Sequence, residues 1–174
     1  PLEASALCEV LFGGPVPAGV VPVASFSDYF CPFCRDLTAR LAARERGGIA
    51  VNWHELPILG SGSEAASRAA PAADLQGLYP PFQARPPRAA FQPNEAYLRQ
   101  LSDSIGADAG RLLRDMESPA VTARLHASAR AAATLGIAVT PALVVGRTLV
   151  TGAISEARLD ALIAEERAGP GPGC

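Results

Sequence analysis

Two cysteines separated by two residues are the side chains of this chain best suited to chemistry. They lie in the segment Cys31-Pro-Phe-Cys34, which follows an apolar run and begins a segment with helical spacing. Thiols at this spacing form half of a zinc site, a structural disulfide or a redox pair that exchanges disulfides. The rest of the sequence has to discriminate among these three kinds of site.

The sequence does not favour the zinc site or the structural disulfide. A zinc site takes about four protein ligands, and the remaining candidates form no second paired motif: Cys8, Cys174, His54 and His126. A disulfide between Cys31 and Cys34 would close a very short loop and would stabilise the fold little on the entropic model. The redox pair is therefore the favoured interpretation.

The position of the pair agrees with redox chemistry. An apolar, β-branched run predicts a strand over 20–26, and the pattern that follows predicts a helix over 32–46. Unpaired N–H groups and the helix dipole at a helix N-terminus favour an anion, and the thiolate is the nucleophile in disulfide exchange. Pro32 suits the first helical turn. We expect Cys31 to be the exposed, attacking sulfur and Cys34 to be the shielded, resolving one.

The remaining elements follow from periodicity and from helix and strand breakers. A second strand over 49–56 ends at Pro57, so the order strand, helix, strand predicts a parallel βαβ unit. Two short strands, 141–145 and 148–151, are joined by a two-residue turn at Gly146-Arg147, and a last helix begins at Ser155. Between β-rich parts, the spacing of apolar residues predicts four helices: 63–76, 94–105, 108–117 and 118–135. A proline-rich connection that starts at Tyr79 separates the first of these helices from the second.

Composition excludes several classes of function. The 174 residues are 49% hydrophobic and 18% charged, which is typical of a globular protein. A net charge of −2 gives no electrostatic surface for nucleic acid, and no apolar run is long enough to cross a bilayer. The four cysteines allow, without requiring, an oxidising compartment.

Taken in order, these motifs resemble the DsbA family of bacterial thiol–disulfide oxidoreductases. The segments that carry the resemblance are YFCPFC, VNWHELPIL and GIAVTPALVVG. The resemblance implies an α/β fold, namely a thioredoxin fold with a helical domain inserted between the second strand and a cis-proline. The implied parts are an N-terminal arm, a thioredoxin-like domain in two pieces, the inserted helical domain and a flexible tail: 1–19, 20–57 with 141–166, 58–140 and 167–174.

The resemblance also implies roles for particular residues. Cys31 and Cys34 would alternate between disulfide and dithiol, with no cofactor or metal. Pro141 would be cis and pack against the pair, and the backbone of Thr140 would bind an extended substrate segment. Pro32-Phe33 replaces the Pro-His pair of the best-known oxidase. Phe33 can neither donate a hydrogen bond nor carry charge, so we expect a less extreme oxidant and an apolar contact for substrates.

The sequence departs from the family at two positions near the pair. Ser25 stands where many members carry an acidic residue, and His54 where they often carry a basic one. Deprotonation of Cys34 is then expected to depend on water or on His54, whose alternative role is an ordinary hydrogen-bonded strand residue. Glu55 is expected on the other face of the strand. Asp28 is either a solvated loop residue or a modulator of the thiolate.

The function that follows is an exported, periplasmic oxidase that introduces disulfides into reduced or unfolded proteins. We expect a monomer that a membrane redox partner reoxidises, with a signal peptide outside the sequence shown. One alternative is a disulfide isomerase or reductase that the cell keeps reduced, and another is a chaperone-like binding module without catalysis. Cys8 and Cys174 either pair with each other or remain available to other thiols.

Overall fold

A four-stranded sheet organises the part of the chain described by a computed structural model, residues 4–85 and 93–169. The strand order is β2-β1-β3-β4. β1 pairs with β2 in parallel, whereas β3 pairs antiparallel with both β1 and β4. The predicted parallel βαβ unit is confirmed. The strands are β1 Val21–Ser27, β2 Ile49–Glu55, β3 Ala142–Val145 and β4 Thr148–Thr151.

Eight helices are described, and five of them separate β2 from β3 along the chain. The helix α2 connects the two parallel strands, and α8 follows β4. The helices are α1 Ala4–Phe12, α2 Pro32–Glu45, α3 Ser61–Asp74, α4 Tyr79–Ala84, α5 Glu95–Ile105, α6 Ala109–Met116, α7 Pro119–Thr134 and α8 Glu156–Ala168.

The sheet is covered on both faces. On the first face, which we call the α2 face, alternate strand residues such as Val23 and Val145 pack against α2 and α8. On the opposite face, the α1 face, Phe26 and Val144 pack with residues of α1 and α7. Trp53 contacts the α2-face core and also the separate core of the helices α3 to α7, and so links the two.

Most of the predicted elements are confirmed within one or two residues, but two features differ. The predicted proline-rich connection contains the helix α4, in which Pro80 and Pro81 occupy the first turn, where missing N–H groups cost no hydrogen bonds. The predicted N-terminal arm contributes to the core, because Leu11 of α1 is buried among the residues of the α1 face. Most of the predicted tail, residues 170–174, lies outside the described residues.

Candidate active site

Cys31 lies at the N-terminus of α2 as its N-cap residue. Its Sγ accepts a hydrogen bond from the backbone N–H of Cys34 at 3.4 Å. Pro32 and Phe33 form the exposed first turn, and Phe33 is 63% exposed. An N–H group that points at Sγ from a helix N-terminus favours negative charge on the sulfur. The helix therefore supplies the local field that a nucleophilic thiolate requires.

The prediction that Cys31 is exposed is wrong, since only 5% of the residue is accessible. The Thr140–Pro141 peptide bond is cis, as predicted, and it borders the site. The Sγ atom of Cys31 lies 3.6 Å from the carbonyl oxygen of Thr140, to which the thiol donates. A residue from a segment more than a hundred positions away thus covers the sulfur, and local sequence does not reveal such a contact.

Cys34 is buried beneath Cys31, as predicted. Burial first, and then the hydrogen bond with Cys31, raise the pKa of the Cys34 thiol to about 12. Hydrogen bonds from the backbone of Asp28 and from the side chains of Thr140 and Ser27 act in the opposite direction. Cys34 therefore holds its proton at neutral pH, and its use as a nucleophile requires that the proton be removed.

Asp28 is fully buried, so the expectation of a solvated loop residue is wrong. Its Oδ1 accepts hydrogen bonds from the backbone N–H of Phe30 at 2.8 Å and from the hydroxyl of Ser63. Its Oδ2 accepts from the N–H groups of Ile58 and Leu59, at 2.9 and 3.0 Å. The carboxylate therefore ties the turn before Cys31 to the loop between β2 and α3.

Comparison with known proteins agrees with this geometry. The family model for the DSBA-like thioredoxin domain matches residues 22–164. The chain belongs to this family. Its members have a thioredoxin-like fold, and the chain is accordingly a DsbA-like thiol–disulfide oxidoreductase. No curated protein sequence matches the chain.

Several solved structures resemble this DsbA-like chain. A thioredoxin-like oxidoreductase from Silicibacter pomeroyi has a TM-score of 0.80 and 34% identity, over 92% of this chain and 98% of that one. The thiol-disulfide exchange protein alpha-DsbA2 from Wolbachia pipientis has a TM-score of 0.76 and 21% identity, over 93% and 95%. A periplasmic thioredoxin-like protein from Salmonella enterica serovar Typhimurium has a TM-score of 0.73 and 20% identity, over 97% and 99%.

His54 lies on the α1 face of this DsbA-like sheet, away from α2. Its ring stacks on Phe26 with centroids 4.5 Å apart, and its Nε2 lies 3.1 Å from the carbonyl oxygen of Leu11. Nε2 also lies 3.2 Å from the amide nitrogen of Asn52, and Nδ1 lies 3.2 Å from the hydroxyl of Ser128. Burial lowers the pKa of His54, which keeps the ring neutral. These contacts correspond to the ordinary strand role and do not bring His54 to Cys34.

Glu55, and not His54, is the titratable residue of β2 that lies on the α2 face of the sheet, the face that carries the cysteine pair. The two side chains do alternate as predicted, but Glu55 is on the side of α2 and borders one cavity with Arg35 and Thr38 of that helix. Its Oε1 accepts a hydrogen bond of 2.5 Å from the hydroxyl of Tyr79. Burial raises the pKa of Glu55, while Arg124, whose Nε lies 3.6 Å from Oε2, lowers it. Sequence reasoning missed this residue because alternation alone does not say which face α2 covers.

Four apolar side chains are exposed near the cysteine pair. Phe33 belongs to the motif itself, Ile58 and Leu59 to the loop held by Asp28, and Val139 directly precedes Thr140. Their exposed fractions lie between 45% and 63%. We call these four residues the apolar rim. Only Phe33 was expected from the sequence, since the other three become neighbours of the site through Asp28 and the cis-proline segment.

Cys8 differs from the cysteine pair in its oxidation state. Cys31 and Cys34 are free thiols, whereas Cys8 is disulfide-bonded. Cys174, whose pairing with Cys8 the sequence left open, lies outside the described residues. Across residues 4–85 and 93–169, no three His, Cys, Asp or Glu side chains lie close enough together to hold a metal ion. Within the same ranges, no helix has the length and apolar character needed to span a membrane.

Proposed function

We propose that this protein introduces disulfides into exported proteins by dithiol–disulfide exchange at Cys31 and Cys34. The observation that carries the proposal is the position of Cys31 Sγ, which accepts an N–H at the start of α2 while Cys34 lies buried beneath it. An N–H at the start of α2 points at Sγ of Cys31, whereas burial raises the pKa of the Cys34 thiol. One is suited to meet substrate and the other to resolve the intermediate.

The reaction is a two-electron exchange. A substrate thiolate attacks Sγ of Cys31 in the disulfide form, the Cys31–Cys34 bond breaks, and Cys34 leaves as a thiolate that takes up one proton. A second substrate thiol loses its proton and displaces Cys31 from the mixed disulfide. The substrate is oxidised to a disulfide and Cys31–Cys34 is reduced to a dithiol. A membrane redox partner then removes two electrons and two protons to restore the disulfide.

The hydrogen bonds around the dithiol support the oxidising direction. Sγ of Cys31 has partners in the Thr140 carbonyl and the Cys34 N–H, and Cys34 has partners in Ser27, Thr140 and Asp28. Groups that stabilise the reduced form make a dithiol pair a stronger oxidant. A reductase, one of the alternatives, would need the disulfide to be the more stable state.

The apolar rim supports unfolded or reduced proteins as substrates. Phe33, Ile58, Leu59 and Val139 expose apolar surface that a flexible chain can cover while its thiol approaches Cys31. We propose that the backbone of Thr140, next to Pro141, pairs with an extended segment of that chain. Pro32 would contact the same segment from the first turn of α2. The binding-module alternative uses the same surface but needs no thiols.

A periplasmic location and a monomeric state complete the proposal. The similar protein from Salmonella enterica is described as periplasmic, and disulfide-forming enzymes operate in oxidising compartments.

Oxidative refolding of reduced ribonuclease A tests the proposed function. The oxidised protein, in substoichiometric amounts and with a glutathione buffer as electron acceptor, is expected to accelerate the recovery of ribonuclease activity. Cys31→Ser should abolish this effect, and Cys34→Ser should accumulate mixed disulfides with the substrate. If Cys31→Ser is as active as the wild type, the protein is a binding module. If only scrambled ribonuclease is rescued, it is an isomerase.

A further inference from the structure

The strand β2 lies at one end of the sheet, with β1 on one side and no described strand on the other. In a parallel pair, the backbone groups of successive residues point alternately toward the partner strand and away from it. Gly48 accepts a hydrogen bond from β1 and Leu56 donates one to β1, so the even-numbered residues of β2 are the ones that bond to that strand. The N–H and C=O groups of Val51 and Trp53 therefore point away from the sheet.

This outer edge of β2 is only partly covered. The carboxylate of Glu45 accepts a hydrogen bond from the N–H of Val51, and charged side chains often protect exposed strand edges in this way. Within 4–85 and 93–169, no residue supplies a hydrogen bond to the C=O of Val51 or to the backbone of Trp53. Three consecutive backbone groups are therefore available to an added strand.

A groove of about 570 Å³ follows the edge on the α2-face side, between α2 and α4. Most of its lining side chains are small or apolar: Ala39, Ala42, Trp53, Tyr79, Pro80 and Ala84. Glu45, the last residue of α2, also lines the groove. None of the ion pairs among the described residues involves Glu45. The groove thus combines an apolar wall with one carboxylate that has no cationic partner in the described chain.

A second groove, of about 490 Å³, follows the same edge on the α1-face side. Trp53, Tyr79 and Pro80 line both grooves, so the two adjoin each other at this point of the edge. The rest of the second lining is mainly polar, and α7 contributes much of it: Asn52, His54, Asp74, Arg124 and Ser128. The two sides of the β2 edge therefore differ in chemistry.

An added strand would use the two grooves alternately, because successive side chains of a strand point to opposite faces. Side chains on the same face are two residues, or roughly 6.6 Å, apart. Val51 and Trp53 have this spacing along β2. A side chain placed beside Val51 would reach Glu45, and one placed beside Trp53 would reach the apolar wall. The grooves thus fit a segment in which apolar and basic residues alternate with polar ones.

We propose that the outer edge of β2 binds such an extended segment of another polypeptide by strand addition. A carbonyl of the segment takes the N–H of Val51, and the released carboxylate of Glu45 pairs with a basic side chain. Apolar side chains of the segment occupy the groove beside α2, and short polar ones occupy the groove beside α7. The site is distinct from the segment at Thr140 and uses neither thiol of the cysteine pair.

Amide hydrogen exchange in the free protein tests whether the edge is open. The amide of Trp53 should exchange at least about tenfold faster than those of Asn52 and His54, which bond to β1. Equal protection of all three amides would show that the edge is already covered within the chain, and it would overturn the proposal. Protection of Trp53 that rises with protein concentration would show that a second copy occupies the edge, and it would also overturn it.

A short peptide tests the binding itself. The probe is the acetylated and amidated heptapeptide Ser-Lys-Thr-Leu-Thr-Lys-Ser, whose pattern is the same in both strand directions. At concentrations up to about 2 mM, it should slow the exchange of the Trp53 amide and shift the NMR signals of Val51 and Trp53. The same peptide with both lysines replaced by glutamate should bind at least about tenfold more weakly, because Glu45 would repel it. No shift, equal binding of both peptides, or shifts only around Thr140 would overturn the proposal.

Two neighbouring alanines of α2 give a matched pair of variants. Ala42 and Ala43 are both exposed, but only Ala42 lines the groove. Ala42→Phe should fill the groove and weaken binding of the lysine peptide at least about tenfold, the effect of losing one buried apolar side chain. Ala43→Phe should bind the peptide as the wild type does. Equal affinities of the two variants would contradict binding in this groove.

Glu45→Gln tests the charge selection separately from the shape of the groove. In this variant the lysine and glutamate peptides should bind within about twofold of each other, because the carboxylate that distinguishes them is gone. The reaction of Cys31 with 5,5′-dithiobis(2-nitrobenzoate) should be unchanged, since the site uses neither thiol. Undiminished preference for the lysine peptide would overturn the role of Glu45.

Discussion

Replacing Asp28 by asparagine is the change whose effect follows most directly from the structure. The carboxylate accepts four hydrogen bonds, two at each oxygen, from Phe30, Ser63, Ile58 and Leu59. Asparagine keeps one acceptor oxygen and places an NH₂ group where the second oxygen was. If the amide oxygen faces Ile58 and Leu59, the Ser63 hydroxyl can turn to accept, and only the bond from Phe30 is lost.

The opposite orientation of the amide loses the bonds from both Ile58 and Leu59. A hydrogen bond to a charged group contributes about 1.5–3 kcal/mol, and a buried N–H left without a partner adds a cost of the same order. We therefore expect Asp28→Asn to lower the free energy of unfolding by about 2–4 kcal/mol. Asp36→Asn, at a carboxylate whose side chain is 70% exposed, is the control and should change it by less than about 0.5 kcal/mol.

Urea denaturation of the reduced proteins measures these differences, and amide hydrogen exchange localises them. Exchange at Ile58 and Leu59 should accelerate more in Asp28→Asn than exchange in the central strand β1. A loss below about 1 kcal/mol would refute the structural role, because it would mean that the four bonds contribute little. If, in addition, only the reaction rate of Cys31 changed, Asp28 would be a modulator of the thiolate.

Three further predictions concern the rim, the strand β2 and the ion pair beneath it. Phe33→Ser should lower kcat/KM for reduced ribonuclease about tenfold or more, since burial of a phenylalanine contributes about 1.5–3 kcal/mol. The rate with a small thiol such as dithiothreitol should stay unchanged. Equal losses with both substrates would contradict docking at the apolar rim. The pKa of His54 is lowered from its ordinary value of 6.5. The wild type should therefore exceed His54→Gln in free energy of unfolding by its full margin above pH 6.5, and the margin should diminish as the pH falls below that value. A margin that does not vary with pH would show that the ring is not held neutral. Arg124→Met should lower the free energy of unfolding by about 2 kcal/mol at neutral pH, less than the loss of a fully buried ion pair because Arg124 is partly exposed. The loss should shrink as acid protonates Glu55. A loss that grows in acid would contradict the ion pair between Arg124 and Glu55.

The sequence was sufficient for the order of the elements and for the cysteine pair. Apolar periodicity and the breakers near Gly48 and Pro57 delimit α2 and β2, and the N-cap side chains of Asn94, Asp108 and Ser155 mark three helix starts that the structure confirms. These signals are local, because a cap or a breaker acts on its own few residues. The resemblance to DsbA proteins supplied the fold, which local signals do not specify.

The contacts made across the fold could not be predicted. Alternation along β2 placed His54 and Glu55 on opposite faces, but only the packing shows that Glu55 shares the α2 face with Val51 and Trp53. The role of Asp28 could not be predicted either, because its partners Ile58 and Leu59 belong to a loop about thirty residues further along the chain. The burial of Cys31 depends on Thr140, from a still more distant segment.

The redox equilibrium of the Cys31–Cys34 pair with glutathione tests the central claim most directly. Thiol trapping of the protein in buffers of defined glutathione ratio gives the fraction of disulfide, and hence the potential. We expect a value well above that of thioredoxin, about −270 mV, because the dithiol form holds the hydrogen bonds described above. A potential near or below the thioredoxin value would contradict the oxidase function and favour a reductase or isomerase.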